Sequence, residues 1–180
     1  SILSTITFGL AKVGDNAPTF TAKDIDGKPH KLSEFAGKTV VLEWFNKDCP
    51  FVKKHYESGN IPELQKAYTG KGVVWLQVLS SAKGKEGYLD AEAAKTEKAK
   101  AFASNMIVDA DGKIGKSFGA KTTPHFFIIN KDGKVAYMGA IDDKPSADPA
   151  AISTSKNYVK AAFDGELAGS KLPTNTTALY

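Results

Sequence analysis

Thr39-Val-Val-Leu-Glu-Trp-Phe-Asn-Lys-Asp-Cys-Pro-Phe-Val-Lys-Lys54 is the stretch of sequence that decides the fold. It opens with a β-branched, apolar run from Thr39 to Phe45 that is typical of a buried strand. A polar turn follows, and Cys49 then stands directly before Pro50, a residue suited to the first turn of a helix. The stretch therefore predicts a strand, a turn and a helix, with the thiol at the helix N-terminus.

Cys49 is the only cysteine in the 180 residues. The unpaired N–H groups and the dipole of a helix N-terminus stabilise a thiolate. Lys47, Lys53 and Lys54 add positive charge around the thiol, while Asp48 opposes them. Because these flanks are polar, we expect a reactive thiol rather than a buried structural cysteine. A single cysteine also excludes an internal disulfide and a multi-cysteine zinc site.

The composition predicts one globular domain with a full-sized core. All 24 basic residues are lysines spread along the chain, and the net charge is +4. Nucleic-acid sites favour arginine forks and clustered basic residues, so we expect no nucleic-acid partner. No apolar run approaches the ~20 residues of a membrane span. We expect no cofactor and no metal, because Cys49 and His125 would supply only two ligands.

The first residues, 1–11, form a short apolar segment that ends in a small residue before Lys12. The segment fits the end of a secretory signal, and it fits an ordinary β-extension equally well. We expect an exported, periplasmic protein, with a cytoplasmic location as the alternative. The predicted organisation is an N-terminal extension or signal remnant over 1–12, one domain over 13–165 and a loose, polar C-terminal tail over 166–180.

Strands and helices alternate on both sides of the cysteine stretch. The helix after Pro50 should run to about Tyr68 with a break near Gly59 and Pro62. The remaining predicted elements are a hairpin turning at residues 26–27, strands at 72–79, 106–108, 125–130 and 134–139, and helices at 90–104, within 111–118 and at 153–163. This order predicts an α/β protein with a mixed central sheet, helices on both faces and an N-terminal β-hairpin extension.

Two further features point to the thiol. Thr122-Thr123-Pro124 precedes a strand, where an X–Pro bond can be cis, although a plain strand-start proline is the alternative. Glu43 lies inside an apolar strand, where a carboxylate is costly without a function or a partner. A buried Glu43 would have a raised pKa and could exchange protons with Cys49. The alternatives are a pair with Lys66 or Lys71, or a place on the exposed side of the sheet.

The histidines are weaker candidates. His125 follows Pro124 and could tune the thiolate, although a polar residue at a strand start is the simpler interpretation. His55 is expected on the surface, and His30 lies in a turn-rich stretch with no evident partner.

The chain resembles the thioredoxin-like superfamily, in the branch of redoxins and alkyl-hydroperoxide-reductase/thiol-specific-antioxidant (AhpC/TSA) proteins. The resemblance covers residues 13–163 and implies a thioredoxin fold. Besides the stretch leading to Cys49, it is carried by Val13-Gly-Asp-Asn-Ala-Pro-Thr-Phe20, Leu32-Ser-Glu-Phe-Ala-Gly-Lys38, Phe118-Gly-Ala-Lys-Thr-Thr-Pro124 and Phe126-Phe-Ile-Ile-Asn-Lys-Asp-Gly133.

The resemblance also implies roles for single residues. Cys49 falls on the position of the family's nucleophile and Pro124 on that of its cis-proline. Thr123 would present its backbone to a bound disulfide substrate, with Pro50 as a further part of the binding surface. Glu43 falls on the position of the buried acid of thioredoxins.

Departures from the family pattern shape the predicted activity. Val52 stands where a thioredoxin has its second cysteine, so a dithiol cycle within the motif is excluded. Asn46 stands where peroxiredoxins have Thr or Ser, and the chain lacks the arginine that polarises the peroxide; we assign Asn46 to substrate binding. Some redoxin-like proteins with this type of motif carry a later cysteine in a Gly-Cys segment, so we expect the chain to continue beyond Tyr180.

The resemblance and the residues together predict a thiol–disulfide oxidoreductase of monothiol type. Cys49 would attack a protein or small-molecule disulfide, and an external thiol would resolve the mixed disulfide. One alternative is a one-cysteine peroxidase with antioxidant activity, in which peroxide oxidises Cys49 to a sulfenic acid. The other is a non-catalytic thioredoxin-like binding module. The sequence indicates no oligomeric state.

Overall fold

A computed structural model of the chain describes residues 9–170, 172 and 175–180. The strands run over Thr21–Lys23 (β1), Pro29–Lys31 (β2), Val40–Trp44 (β3), Val74–Leu79 (β4), Asn105–Val108 (β5), His125–Ile129 (β6) and Val135–Gly139 (β7). The helices run over Pro50–Glu57 (α1), Asn60–Thr69 (α2), Ala91–Ala99 (α3), Lys113–Phe118 (α4) and Tyr158–Ala168 (α5).

The central sheet is mixed and has the strand order β5-β4-β3-β6-β7. Strands β3, β4 and β5 are parallel, while β6 and β7 join them antiparallel. Every residue of β3 and β4 is buried, as expected for strands covered on both faces. Strands β1 and β2 form a separate antiparallel hairpin. The predicted α/β class and N-terminal hairpin are confirmed.

Side-chain alternation along β3 divides the core into two layers. Leu42 and Trp44 face the layer that contains Phe118 of α4. Val41 faces the opposite layer, where Ile61 of α2 and Phe163 of α5 cover the sheet. Glu43 shares the face of Val41, so its carboxyl group enters the layer between the sheet and the helices.

Two helix predictions need correction. The helix predicted over 90–104 ends at Ala99, because Ser104 already pairs with β4: its N–H donates to the carbonyl of Trp75 and its hydroxyl accepts from the N–H of Trp75. The helix predicted over 153–163 is replaced by a 3₁₀ turn over Pro149–Thr154 and by α5. The side chain of Asn157 caps α5 by accepting from the N–H of Lys160 at 2.8 Å.

The break predicted near Gly59 is confirmed. The C-terminal residues that the structure describes are packed, contrary to the predicted loose tail. Gly59 has a φ of 81° and separates α1 from α2. Helix α5 continues to Ala168, and Tyr180 packs edge-on against Phe51 with 5.1 Å between ring centroids. Most of the predicted extension over 1–12 lies outside the described residues, and the domain boundaries at 13 and 165 stay predictions.

Candidate active site around Cys49

Cys49 stands at the N-cap of α1, with extended backbone angles and Pro50 as the first helical residue. Its side chain is free and half-buried. The Sγ atom donates to the carbonyl oxygen of Thr123 at 3.1 Å. The structure therefore holds the thiol between a helix N-terminus and the backbone that precedes Pro124.

The sheet explains why two distant segments meet here. Strands β3 and β6 are antiparallel, and Trp44 at the end of β3 lies opposite His125 at the start of β6. The turn that follows β3 and the loop that precedes β6 therefore share one edge of the sheet. The Thr123–Pro124 peptide bond in that loop is cis. Cys49, Thr123 and Pro124, each singled out from the sequence, are brought together.

The lysines near the thiol have separate environments. Lys47 Nζ donates to Asp48 Oδ1 at 2.6 Å, and this contact raises the pKa of Lys47 and lowers that of Asp48. Lys53 is exposed on α1. Lys54, expected around the thiol, is instead buried, and its Nζ donates to the carbonyl of Lys144 at 3.3 Å. Of the three lysines, Lys53 is therefore exposed, Lys47 is paired with Asp48, and Lys54 is buried.

Asn46 is used within the turn. Its Oδ1 accepts from the N–H of Asp48 at 2.8 Å and its Nδ2 donates to Glu86 at 3.3 Å. A Cβ added to Gly87 would lie 2.6 Å from the Asn46 side chain. Since that approach requires a glycine, the 80–90 loop is fitted closely over Asn46.

Two hollows flank the site. One, of about 390 Å³, is lined by Phe45, Val52 and Tyr56 together with charged groups that include Lys53. The other, of about 490 Å³, adjoins the Thr123 loop and includes Trp44, Ser80 and Lys121 in its lining.

Glu43 is fully buried and contacts Tyr56, a residue that lines the first hollow. Its Oε1 accepts from the Tyr56 hydroxyl at 2.7 Å, and its Oε2 accepts from Trp75 Nε1 at 2.7 Å and Gln65 Nε2 at 3.3 Å. Burial raises the pKa of Glu43 to about 7, against the opposing effect of these three donors. The alternatives of an exposed Glu43 or a lysine pair are wrong.

Sequence reasoning missed the partners of this carboxyl group. Tyr56, Gln65, Trp75 and Gln77 complete what we call the Glu43 cluster; Gln77 Nε2 donates to the Tyr56 hydroxyl at 2.7 Å. Gln77 could have been found by the signal that singled out Glu43, since it is the polar residue of an otherwise apolar strand, β4.

The two histidines on α1 and β6 are both buried. Burial lowers the pKa of His125 to about 4, and its Nδ1 accepts from the N–H of Lys121 at 3.3 Å, so it is neutral at pH 7. The prediction of a surface His55 is wrong. Its Nε2 lies 3.8 Å from Asp142 Oδ2, and burial lowers the pKa of His55 to about 4.

His30 also differs from its prediction. Its Nε2 contacts Asp24 Oδ2 at 2.8 Å and its Nδ1 contacts Glu34 Oε1 at 2.6 Å. The hydrogen bond to Glu34 is the main reason that the pKa of His30 is raised. This histidine ties the β1–β2 hairpin to the turn that follows it.

Within residues 9–170, 172 and 175–180, no set of three or more His, Cys, Asp or Glu side chains is arranged to hold a metal ion. In the same residues, no helix combines the length and the apolar character needed to cross a membrane.

The model of the Redoxin family matches residues 12–155. The chain belongs to the Redoxin family. It is 32% identical over 131 residues to the thiol-disulfide oxidoreductase ResA of Bacillus thuringiensis subsp. konkukian, an alignment that covers 69% of this redoxin and 67% of ResA. The predicted class, an oxidoreductase of the thioredoxin-like superfamily, is confirmed.

Solved structures agree on the fold. An uncharacterized conserved protein from Geobacillus kaustophilus superimposes with a TM-score of 0.78 at 23% identity, covering 94% of this redoxin and 89% of that chain. A candidate thiol:disulfide interchange protein DsbE from Chlorobium tepidum gives a TM-score of 0.60 at 25% identity, covering 85% and 99%. The predicted thioredoxin fold is confirmed.

Proposed function

We propose that this redoxin exchanges thiols and disulfides through Cys49 alone and that an external thiol completes the cycle. The observation that carries the proposal is the position of Sγ, half-buried at the N-cap of α1 and 3.1 Å from the Thr123 carbonyl. Val52 at the usual resolving position is buried and apolar, so no thiol of the motif can attack a second time.

The proposed reaction has two balanced steps. The Cys49 thiolate attacks one sulfur of a substrate disulfide; an S–S bond forms to the enzyme, the substrate S–S bond breaks, and one thiolate leaves. An external thiolate then attacks the mixed disulfide and releases Cys49 as a thiolate. The substrate class is a protein or small-molecule disulfide.

The loop before β6 supports substrate docking. The Thr123 carbonyl accepts from the Cys49 thiol in this structure, and the same carbonyl would repel a thiolate. A substrate backbone N–H that binds the Thr123 carbonyl would remove this repulsion. We assign docking to Thr123, Pro124 and Pro50, with Asn46 holding the turn on which Cys49 stands.

The thiolate is proposed to be stabilised by the N-terminus of α1 and by nearby lysine charge. Lys53, one turn into α1, is exposed and supplies a positive charge in this proposal. Lys47 contributes less, because Asp48 lies 2.6 Å from its Nζ. Glu43 is proposed to store the proton that the thiol gives up, since its pKa lies near 7.

Peroxide is not part of the proposal. The side chain of Asn46 is engaged by Asp48 and Glu86, and the sequence contains no arginine to polarise a peroxide. An exported location is kept as part of the proposal, and fractionation of the source cell would test it.

The test uses an aromatic disulfide whose leaving thiolate absorbs light. We expect one equivalent of thiolate released per chain, a mass increase on Cys49, and regeneration by added thiol. Cys49→Ser is the control and should release none. The proposal fails if Cys49 reacts no faster than free cysteine.

A Lys53→Gln variant sharpens the test. If Lys53 stabilises the thiolate, the reaction of Cys49 with the same reagent should shift to higher pH. Lys95→Gln, at an exposed position of α3, is the matched control and should leave the pH profile unchanged. Equal profiles for both variants would remove Lys53 from the proposed site.

A further inference from the structure

The Tyr56 hydroxyl has three partners and no spare capacity. It donates to Glu43 Oε1 at 2.7 Å and accepts from Gln65 Nε2 at 3.0 Å and Gln77 Nε2 at 2.7 Å. A phenol has one donor and two acceptor positions. This arrangement suits an ionised Glu43, because all three donors that surround the carboxyl group point to its oxygens.

A protonated Glu43 would reverse one of these bonds. The carboxyl proton would have to be donated to the Tyr56 oxygen, since Oε2 already accepts from Trp75 and Gln65. The Tyr56 proton would then need another acceptor. A buried hydroxyl proton without an acceptor is unfavourable.

The two glutamines of the cluster differ in their freedom to supply that acceptor. Gln65 Oε1 accepts from the N–H of Phe102 at 3.0 Å, which fixes the orientation of its amide. Gln77 Oε1 is buried and has no hydrogen-bond partner among the described residues. A half-turn of the Gln77 amide exchanges its oxygen and nitrogen at nearly constant shape.

We propose that Tyr56 and Gln77 are positioning residues that let Glu43 hold or release its proton without leaving the Tyr56 proton unpartnered. In the ionised state, Gln77 donates to Tyr56, and Tyr56 donates to Glu43. In the protonated state, Glu43 donates to Tyr56, and Tyr56 donates to Gln77 Oε1 after the amide has turned. One proton is added, and no covalent bond other than its O–H changes.

The amide rotation does not favour either state by itself. Gln77 Oε1 is unpartnered in the first state and Gln77 Nε2 in the second, so one buried amide atom lacks a partner in both. The groups that face the carboxyl group from α1, α2 and β4 are Tyr56, Gln65 and Trp75, and Phe126 lies opposite Glu43 on β6. Of these, Tyr56 alone is titratable, and the cluster is free of a fixed charge.

This inference rests on the proposed function for its purpose, the proton exchange with Cys49, but it is measured without turnover. The experiment follows the Glu43 carboxyl by NMR across pH in the full chain with isotope-labelled glutamate. In Gln77→Met the Tyr56 proton has no acceptor once Glu43 is protonated, so the titration midpoint should fall by about 1 pH unit. In the matched control Gln65→Met the carboxylate loses a donor, so the midpoint should rise.

Opposite shifts in the two variants support the inference, even if Cys49 proves inactive. A midpoint that rises or stays unchanged in Gln77→Met overturns it, even if Cys49 exchanges disulfides rapidly. A measurement on the unaltered chain does not depend on the variants folding. The Gln77 side-chain amide protons should move away from Tyr56 with the same midpoint as Glu43, and amide protons that stay in place across that midpoint overturn the inference.

Discussion

Two adjacent residues of α1 enter two very different buried polar sites. Tyr56 reaches the Glu43 cluster, in which the carboxyl group meets only neutral donors. His55 faces Asp142 at 3.8 Å, and His55 Nε2 and Asp142 Oδ2 have no hydrogen-bond partner among the described residues. We call the second site the His55–Asp142 pair.

The two sites, which contain adjacent residues of one helix, should change the stability of the chain with pH in opposite directions. In the Glu43 cluster, burial raises the pKa of the acid to about 7. In the His55–Asp142 pair, burial lowers the pKa of His55 to about 4. The charge of Asp142 opposes this shift, and the charge of Lys54 lowers the pKa further. Near neutral pH the first site titrates, whereas the second keeps a neutral imidazole.

The largest effect is expected from Glu43→Leu. The substitution removes the acceptor of the Tyr56 hydroxyl and of Trp75 Nε1, whereas Gln65 Nε2 keeps its contact with the Tyr56 oxygen at 3.0 Å. Each unpartnered donor costs about 1–3 kcal/mol, so we expect a loss of roughly 3–5 kcal/mol in the free energy of unfolding. Urea denaturation at pH 7 measures it.

Glu43→Gln is the matched control for this loss. It keeps one acceptor oxygen and nearly the same shape, so it should lose distinctly less stability than Glu43→Leu. Equal losses would mean that packing volume, and not hydrogen bonding, holds the Glu43 cluster together.

The contrast between the two sites also shows what the sequence could predict. Glu43 was detectable because a carboxylate interrupts an apolar strand, but the sequence left open whether its side chain was buried or lay on the exposed side of the sheet. Its partners come from α1, α2 and β4, and the packing of helices on the sheet decides which of their side chains meet. The alternative of a pair with Lys66 or Lys71 was therefore wrong.

His55 was misassigned for a related reason. It lies six positions after Cys49 and off the helix face of the thiol, a position that indicates the surface. The segment after β7, which carries Asp142, covers a second side of helix α1. The sequence around His55 contains no pattern that predicts this contact. Cys49, Thr123 and Pro124 were expected together, and they lie together because the turn after β3 and the loop before β6 adjoin paired strand ends.

The second prediction concerns the pH dependence that Glu43 confers. The pKa of Glu43 is raised from 4.5 to about 7 in the folded chain. Between these values the folded chain keeps a proton that the unfolded chain has released, so the free energy of unfolding falls as pH rises through this range. Across this range the unaltered chain should lose about 3 kcal/mol more of its free energy of unfolding than Glu43→Gln does. Urea denaturation at several pH values would show it, and parallel curves would contradict it.

The third prediction has the opposite sign. The pKa of His55 is lowered from 6.5 to about 4, so between these values the unfolded chain binds a proton that the folded chain does not. Stability should therefore be lost as pH falls from 6.5 to 4, and His55→Gln should reduce that loss. We expect a smaller change than for Glu43, because Asp142 offers a charge to the protonated ring. A His55→Gln curve parallel to that of the unaltered chain would show that burial does not hold His55 neutral.

The smallest effect is expected at the edge of the His55–Asp142 pair. The Tyr180 hydroxyl donates to Asp142 Oδ1, which also accepts from the N–H of Lys144 at 3.0 Å. Tyr180→Phe keeps the ring on Phe51 and leaves Asp142 Oδ1 one donor, so the free energy of unfolding should fall by about 1 kcal/mol.

Urea denaturation of Tyr180→Phe, alone and combined with Asp142→Asn, measures this loss with and without the carboxylate charge. If Tyr180→Phe loses as much stability in the Asp142→Asn background as in the unaltered chain, the hydroxyl acts as an ordinary donor. If the loss of stability disappears in the Asp142→Asn background, the carboxylate of Asp142 is what holds the Tyr180 hydroxyl in place beside α1.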